Sequence, residues 1–507
     1  MTSVGQSERS HLRGSVLLFA GRLFALAVNF SVQVVTIRYL AKSDYGVFAF
    51  AISVTSVFSI LCLLGMDKAI SRCLAVFVEQ EAREEFWGAV LGSLVSVVTC
   101  GLLGVLACVW IYLAGVPPGG MSFESLSVLA ILSGLILAET VNSLFVSYFA
   151  ALGEAKSIFF RRYVLGPLLK LSAALAVVFF AGSLPVFALG QLLAGLLASA
   201  ICFPMFFRLV GRKSPLAWPG LSNVRFSLQS LFGKGMTFWL GDLGFLFRGA
   251  TVPLILGIYF NSETVAGYQS VFNIARLNEV VLMTFSILYL PRVAKLASRN
   301  EMGQVQELYE STTLWIMFLS FPLFAITFLA AGTVPGLLYG TEYQESGQIL
   351  KWLALCFFAN ATFGVSLRTL KAIGEMRWVL LCDGLVILGS VISLFLLIPR
   401  FGAVGAAWSV LASYLFQALV YQAVVLKTTG IIPFSGRMCL GFISALLIVL
   451  ALDRLQASFH HSSWLGFATA SAAILVYWPC FFRWLDVGGL FPELEKLPFF
   501  NRQVESC

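Results

Sequence analysis

Fourteen stretches of this 507-residue chain are long and apolar enough to cross a bilayer, and no other feature constrains its fold as tightly. They fall at 15–37, 44–65, 86–114, 125–150, 158–181, 184–207, 236–259, 264–290, 312–332, 347–367, 378–398, 402–426, 437–452 and 463–482. Backbone polar groups in hydrocarbon must be hydrogen-bonded within their own segment, so each stretch is predicted to be an α-helix. Composition agrees: 59% of residues are apolar and only 11% are charged, whereas soluble domains carry about 25% charged residues. The chain lacks the polar surface of a soluble enzyme, a nucleic-acid-binding module or a disordered scaffold. The expected fold class is an all-α polytopic membrane protein of about fourteen transmembrane helices.

Lysine and arginine set the orientation. With the N-terminus cytoplasmic, the inside segments hold 24 of these residues and the outside loops only four, Arg38, Lys42, Arg400 and Arg454. Both termini are therefore expected to be cytoplasmic. The N-terminus runs into the first span without an A-x-A cleavage site, which reads as an uncleaved helix. Outside loops such as GVPPGG (115–120) and AGSLP (181–185) are short, and none is large enough to fold as a domain.

The longest internal linker, 208–235, carries five basic and no acidic residues, with Val224, Phe226, Leu228, Leu231 and Phe232 among polar neighbours. It reads as an amphipathic segment on the cytoplasmic surface, touching anionic lipid. It separates two six-span halves that repeat. ALGEAK at 151–156 matches AIGEMR at 372–377, and the same offset of 221 maps Gly46 onto Gly267 and Glu124-Ser125 onto Glu345-Ser346. Six spans between copies keep the two in the same orientation, predicting parallel lobes with substrate between them. The expected organisation is a cytoplasmic N-terminus (1–14), an N-lobe (15–207), the linker (208–235) and a C-lobe (236–426). An extra helix pair (427–483) and a cytoplasmic tail (484–507) follow.

The ten cysteines form no CxxC pair and lie mostly in apolar runs; His11, His460 and His461 lack metal-ligand spacing. No disulfide framework, metal site or cofactor is expected. There is no G-x-x-x-x-G-K-[ST] loop for ATP, and no outside loop has the paired carboxylates a glycosyltransferase needs. Chemistry is to be sought inside the membrane, where each ionisable group costs at least about 2.5–3.5 kcal/mol.

Span one carries a polar stripe, Arg22, Asn29 and Gln33, within about 20° of one line at 100° per residue. Span eight carries another, Gln269, Asn273 and Arg276, with Glu279 a turn beyond; span seven has Asp242 and Arg248. At 1.5 Å per residue, Arg248 and Arg276 lie near mid-bilayer and Arg22 nearer the cytoplasm. Arginine suits an anionic group because its planar fork donates two hydrogen bonds and stays charged when desolvated. The alternative is internal pairing, Arg276 with Glu279 or Arg248 with Asp242. Glu139, Lys170 and Asp383 are further charges at membrane depth. A carboxylate there suits ion coupling, as Glu139, Asp242 and Glu279 each would; a structural Glu139–Lys170 pair is the competing reading. Lys351, near the end of span ten, is expected to snorkel. The glycines of IPRFGAVGAAW read as close packing of spans eleven and twelve.

The motifs YLAKSDYGVFAFAISV (39–54), LGMDKAISR (64–72), LLYGTEYQES (337–346), KAIGEMR (371–377) and IPRFGAVGAAW (398–408) together resemble the multidrug/oligosaccharidyl-lipid/polysaccharide (MOP) exporter superfamily, in its polysaccharide-exporter branch of Wzx-type flippases. The resemblance covers nearly the whole chain. It implies two six-helix lobes around a cavity lined by spans one, two, seven and eight. It also implies export of an undecaprenyl-pyrophosphate-linked oligosaccharide (an O-antigen, capsule or exopolysaccharide unit) to the periplasmic leaflet of the bacterial inner membrane. Lipid II flippases of the superfamily carry cavity arginines on spans one and eight, where Arg22 and Arg276 lie. Expected partners are the lipid-linked glycan, anionic lipids and glycan-assembly proteins, with no nucleic acid. The rivals are a cation-coupled multidrug exporter, whose cavity should be acidic or apolar, and a membrane glycan polymerase or ligase, which needs a large catalytic outside loop.

Overall fold

The computed structural model describes residues 3–115, 123–179, 183–213, 221–433, 435–458 and 465–485. Residues 116–120 and 181–182 of the two short loops lie outside these residues, as do His460, His461 and nearly all of the tail. All regular structure among the described residues is helical. Contacts divide the chain into two compact units, Met1–Gln269 with Leu394–Ala406, and Ser270–Ser393 with Ala407–Cys507.

The first unit is built from α1 (Ser3–Tyr39), α2 (Lys42–Leu63), α3 (Met66–Glu79), α4 (Arg83–Ala114), α5 (Phe123–Ala151), α6 (Ala155–Ile158), a π-helix (Phe159–Leu165), α7 (Gly166–Phe179) and α8 (Leu184–Lys213). It also holds α9 (Leu221–Arg248), α10 (Thr251–Tyr259) and most of α11 (Ser262–Arg276). α4 shows how a bilayer inverts the usual burial rule. Leu103, Leu106, Trp110 and Leu113, spaced three or four apart, are exposed along one face. Val97, Gly101, Gly104 and Cys108 are buried along the other. Lipid tails are as apolar as leucine, so small residues that allow close contact, more than hydrophobicity, select the inward face. A Cβ on Gly104 would lie 3.3 Å from Cys62 on α2 and 3.4 Å from Ile136 on α5. An aromatic cluster of Phe86, Trp87, Phe145, Tyr148 and Phe206 fills the core between α4, α5 and α8.

Two backbone contacts fix α2 within this unit. At its start, a Cβ on Gly46 would fall 1.8 Å from the Ser262 carbonyl oxygen. At its end, Leu64 and Gly65 turn the chain with φ of 49° and 67°, and a Cβ on Gly65 would fall 2.2 Å from the Gly235 oxygen. α9 thus packs with α2, α3 and α4, and the compact unit reaches past residue 235, where the repeat sets the lobe boundary. From Leu221 the predicted surface linker is helical and continuous with span seven. Within it Leu231 is buried in the core with Met66 and Ile70, while Phe232 is exposed.

The second unit comprises the end of α11, α12 (Glu279–Ser298), α13 (Met302–Leu329), α14 (Val334–Tyr339), a 3-10 turn (Thr341–Ser346), α15 (Gly347–Phe363), α16 (Val365–Ile373), α17 (Met376–Thr429) except for Leu394–Ala406, α18 (Gly436–Ser458) and α19 (Leu465–Leu485). The 54-residue α17 folds back on itself. Ser409 Oγ donates to the Ser393 carbonyl at 2.9 Å, and Tyr421 donates to Asp383 at 2.6 Å. Helical rise would separate residues sixteen apart by about 24 Å, so the helix must reverse. The reversal follows Pro399, at Gly402, with φ 57° and ψ −135°. Spans eleven and twelve are the arms of this hairpin, and the motif's glycines serve the turn as well as the packing. α19 docks on α13 by aromatic stacking, Phe321 on Tyr477 with centroids 3.8 Å apart and Phe318 on Trp478 at 5.1 Å, while Phe442 of α18 stacks on Phe358 of α15 at 5.5 Å.

Ten helical segments among the described residues are long and apolar enough to cross a membrane, eleven with the bent pair α9–α10. The expected fourteen or so transmembrane helices do not appear as fourteen separate continuous helices among the described residues. α17 holds two predicted spans; the π-helix interrupts span five, and spans seven, eight and ten each break in two.

Candidate functional site

The breaks fall at the residues that the charge pattern singled out. α9 ends at Arg248, and the chain bends by 45° before α10. α11 ends at Arg276, and after a two-residue turn α12 begins at Glu279. A break frees backbone carbonyls, which hydrocarbon cannot satisfy. Side chains recapture them here. Thr251 Oγ1 donates to the Leu246 carbonyl at 3.1 Å, and Asn278 Nδ2 donates to the Ala275 carbonyl at 2.9 Å. Irregular backbone at membrane depth persists only inside protein or beside water, and discontinuous helices mark the substrate sites of many transporters.

Around the second break lies a polar cluster of the second unit. Arg276 Nε donates to Glu279 Oε2 at 3.4 Å; the Arg276 side chain is 36% exposed and that of Glu279 9%. Glu279 Oε1 accepts from Asn360 at 2.5 Å and from Tyr414 at 3.4 Å. The carboxylate is therefore held on both oxygens by three helices, α11, α15 and α17. One guanidinium and two neutral donors against one carboxylate balance its charge while leaving the arginine partly open.

The other predicted residues distribute as follows. Arg22 and Asn29 are exposed and Gln33 half-buried on α1, on a face adjoining the buried line of Gly21, Ala25 and Val28. A Cβ on Gly21 would stand 2.6 Å from Phe159, so α1 rests on the π-helix at the residue before Arg22. Gln269 and Asn273 are half-buried on α11 with Arg276. Arg248 is half-buried. Asp242 meets Lys68 on α3 in an ion pair, not Arg248 as the pairing alternative supposed. Glu139 and Lys170 do approach, to 4.0 Å, both substantially exposed. Arg22 and Arg276 belong to different compact units. Lys351 pairs with Asp453 at 2.5 Å, with both side chains partly exposed.

Several functional-looking groups escaped the sequence reading. Lys68 lies inside the LGMDKAISR motif, but its partner is 174 positions away. Arg161 is buried in the π-helix at the start of span five and donates to Cys202. Arg368, just past the Gly364 break in span ten, donates to Ser286 and, at 2.7 Å, to the Gly364 carbonyl. Asn360 and Tyr414 gave no sequence signal, being single polar residues on apolar helices.

These features define a multi-pass helical membrane protein with broken helices and buried charge, the architecture of a carrier. Comparison with known proteins makes the assignment specific. The sequence pattern of a family described as polysaccharide biosynthesis protein matches residues 35–348, and the chain belongs to that family. A curated relative, the probable low-salt glycan biosynthesis flippase Agl15 of Haloferax volcanii, is 24% identical over 243 residues, 45% of this chain. The chain spans about half (49%) of that relative's length. Among solved structures, the lipid II flippase MurJ in an inward closed conformation superposes with a TM-score of 0.71 at 15% identity, covering 94% of this chain and 99% of that one. An inward-facing multidrug resistance MATE family transporter of the MOP superfamily gives 0.61 at 13% identity, covering 85% and 96%. The fold is that of the MOP superfamily, as the motifs implied.

Proposed function

We propose that the protein carries an undecaprenyl-pyrophosphate-linked oligosaccharide from the cytoplasmic to the periplasmic leaflet of a bacterial inner membrane by alternating access. The observation that carries this reading is the placing of Arg248 and Arg276 at the ends of half-helices inside apolar spans. A pyrophosphate left in hydrocarbon would lose hydrogen bonds worth several kcal/mol per polar group. Guanidinium groups replace those bonds with paired donors of opposite charge. Family membership and the flippase names of relatives support the same class of cargo.

In this mechanism the lipid tail stays in the bilayer while the sugar-pyrophosphate head enters a cleft open to the cytoplasm. Arg22, Arg248 and Arg276 hold the phosphates, and Asn29, Gln33, Gln269 and Asn273 hydrogen-bond the head. Rocking of one lobe against the other then opens the cleft outward. Carrying a head of about −2 outward across 100 mV, inside negative, releases roughly 4.6 kcal/mol, enough to bias the cycle. Glu279, Asp242 and Glu139 are the carboxylates available for any ion coupling.

The test is a flip assay in liposomes with defined lipid-linked glycans, comparing wild type with Arg22→Ala and Arg276→Ala. Loss of flipping at unchanged insertion supports the reading. Normal flipping in both variants removes the arginine site. Binding of a cationic dye without binding of a pyrophosphate lipid favours a cation-coupled exporter, and elongated glycan products favour a polymerase or ligase.

A further inference from the structure

The extra helix pair α18–α19 lies outside the six-span repeat, yet it walls a cavity of about 820 Å³ in the second unit whose lining mixes polar and apolar groups. The cavity opens where α13 ends, α15 begins, α18 ends and α19 begins. The positive-charge count assigns that end to the outside of the membrane. Its walls are set by two close backbone approaches. A Cβ on Gly347 would lie 2.6 Å from the Ala331 oxygen, and one on Gly466 would lie 2.8 Å from the Ala330 Cα. Toward the other end, stacked aromatics pack α19 against α13; at this end Gln344, Gln348, Lys351, Asp453 and Gln456 line the cavity.

The lining chemistry selects among ligands. Lys351 and Asp453 neutralise each other across the cavity at 2.5 Å, and Glu345 adds a further negative charge. An anion is therefore disfavoured, and so is a lipid tail. Gln344, Gln348 and Gln456 contribute amides that both donate and accept hydrogen bonds. Gln344 and Gln348 are exposed, while the Gln456 side-chain oxygen accepts from Thr469 at 3.3 Å. Leu337 and Leu465 supply apolar contact beside them. Donor–acceptor amides and carboxylates set among apolar surface match a ring bearing hydroxyls on its edge and C–H groups on its face. The volume lies within the roughly 300–1,000 Å³ of small-molecule sites.

We propose that this cavity is a binding site for neutral saccharide units, receiving the sugar portion of the cargo at the outer face. The site rests on the lipid-linked-glycan reading for the identity of its ligand, and it is separate from the arginines in residues and in chemistry. It gives the additional helix pair a task, holding the delivered head on the outer side.

The test uses full-length protein in detergent and the water-soluble oligosaccharide released by mild acid from the host's lipid-linked glycan. Calorimetry measures binding to wild type, Arg276→Ala, the double variant Gln344→Ala/Gln348→Ala, and Gly332→Leu. Gly332 lines the cavity, and a Cβ there meets nothing within 4 Å, so leucine fills space without disturbing the fold. The expected result is equal binding by wild type and Arg276→Ala, with at least a tenfold weakening in the other two. A tenfold excess of inorganic pyrophosphate leaves wild-type binding unchanged. Wild-type affinity in both cavity variants, or displacement by pyrophosphate, overturns the site. Failure of wild type to bind the free sugar while still flipping the lipid-linked form overturns the cavity alone; failure of both overturns the cargo reading as well.

Discussion

Asn360 on α15 donates its side-chain amide to Glu279 on α12 at 2.5 Å, across the break that follows Arg276. This bond, with those from Arg276 and Tyr414, holds a carboxylate where span eight is interrupted. Removing the acceptor strands donors from three helices. We expect Glu279→Leu to lower stability by about 2 kcal/mol, the scale of a hydrogen bond to a charged group. Glu279→Gln retains an acceptor and should lose less. Thermal unfolding in detergent measures both, and equal melting temperatures for wild type and Glu279→Leu would show that the cluster does not support the break.

Arg276 separates charge from geometry. Lysine keeps the charge but loses the planar fork. Flipping by Arg276→Ala should fall at least tenfold, corresponding to about 1.5–3 kcal/mol for a lost charge-assisted bond, and Arg276→Lys should fall less. Initial rates in liposomes at matched protein density decide this. A lysine variant as slow as alanine would mean that fork geometry matters and charge alone does not.

Gly46 and Gly65 should be the least replaceable glycines of α2 and its turn. A Cβ at Gly46 would overlap the Ser262 carbonyl oxygen, and Gly65 combines left-handed φ with contact to Gly235. Alanine at either should cost more than the roughly 1–2 kcal/mol of left-handed strain alone. Gly153 makes a control, since its φ is +70° but nothing lies within 4 Å. Gly153→Ala should show only the strain. Ranked melting temperatures of the three variants test the order.

The Lys68–Asp242 pair joins α3 to α9 with side chains 47% and 28% exposed. Such exposure limits its worth to about 0.2–1 kcal/mol. A double-mutant cycle with Lys68→Ala and Asp242→Ala should give a coupling energy in that range. A value of several kcal/mol would mean that the pair is shielded from solvent in the membrane.

Hydropathy alone fixed where the chain is helical, because a polar backbone in lipid has no other way to satisfy itself. The motifs pointed to the superfamily, and the short spacing put Arg276 and Glu279 within reach of each other, three residues apart across the break between α11 and α12. Neighbours far apart in sequence were not legible. Asn360 reaches Glu279 across 81 positions, Lys351 reaches Asp453 across 102, and Lys68 reaches Asp242 across 174. Those pairings depend on the rotation and shift of each helix against the next. In lipid that choice is made by small residues such as Gly46, Gly65, Gly347 and Gly466 letting backbones touch, which hydropathy does not encode. The helix breaks were equally hidden: an apolar run reads as one span until tertiary partners such as Thr251 and Asn278 take up the carbonyls an interruption sets free.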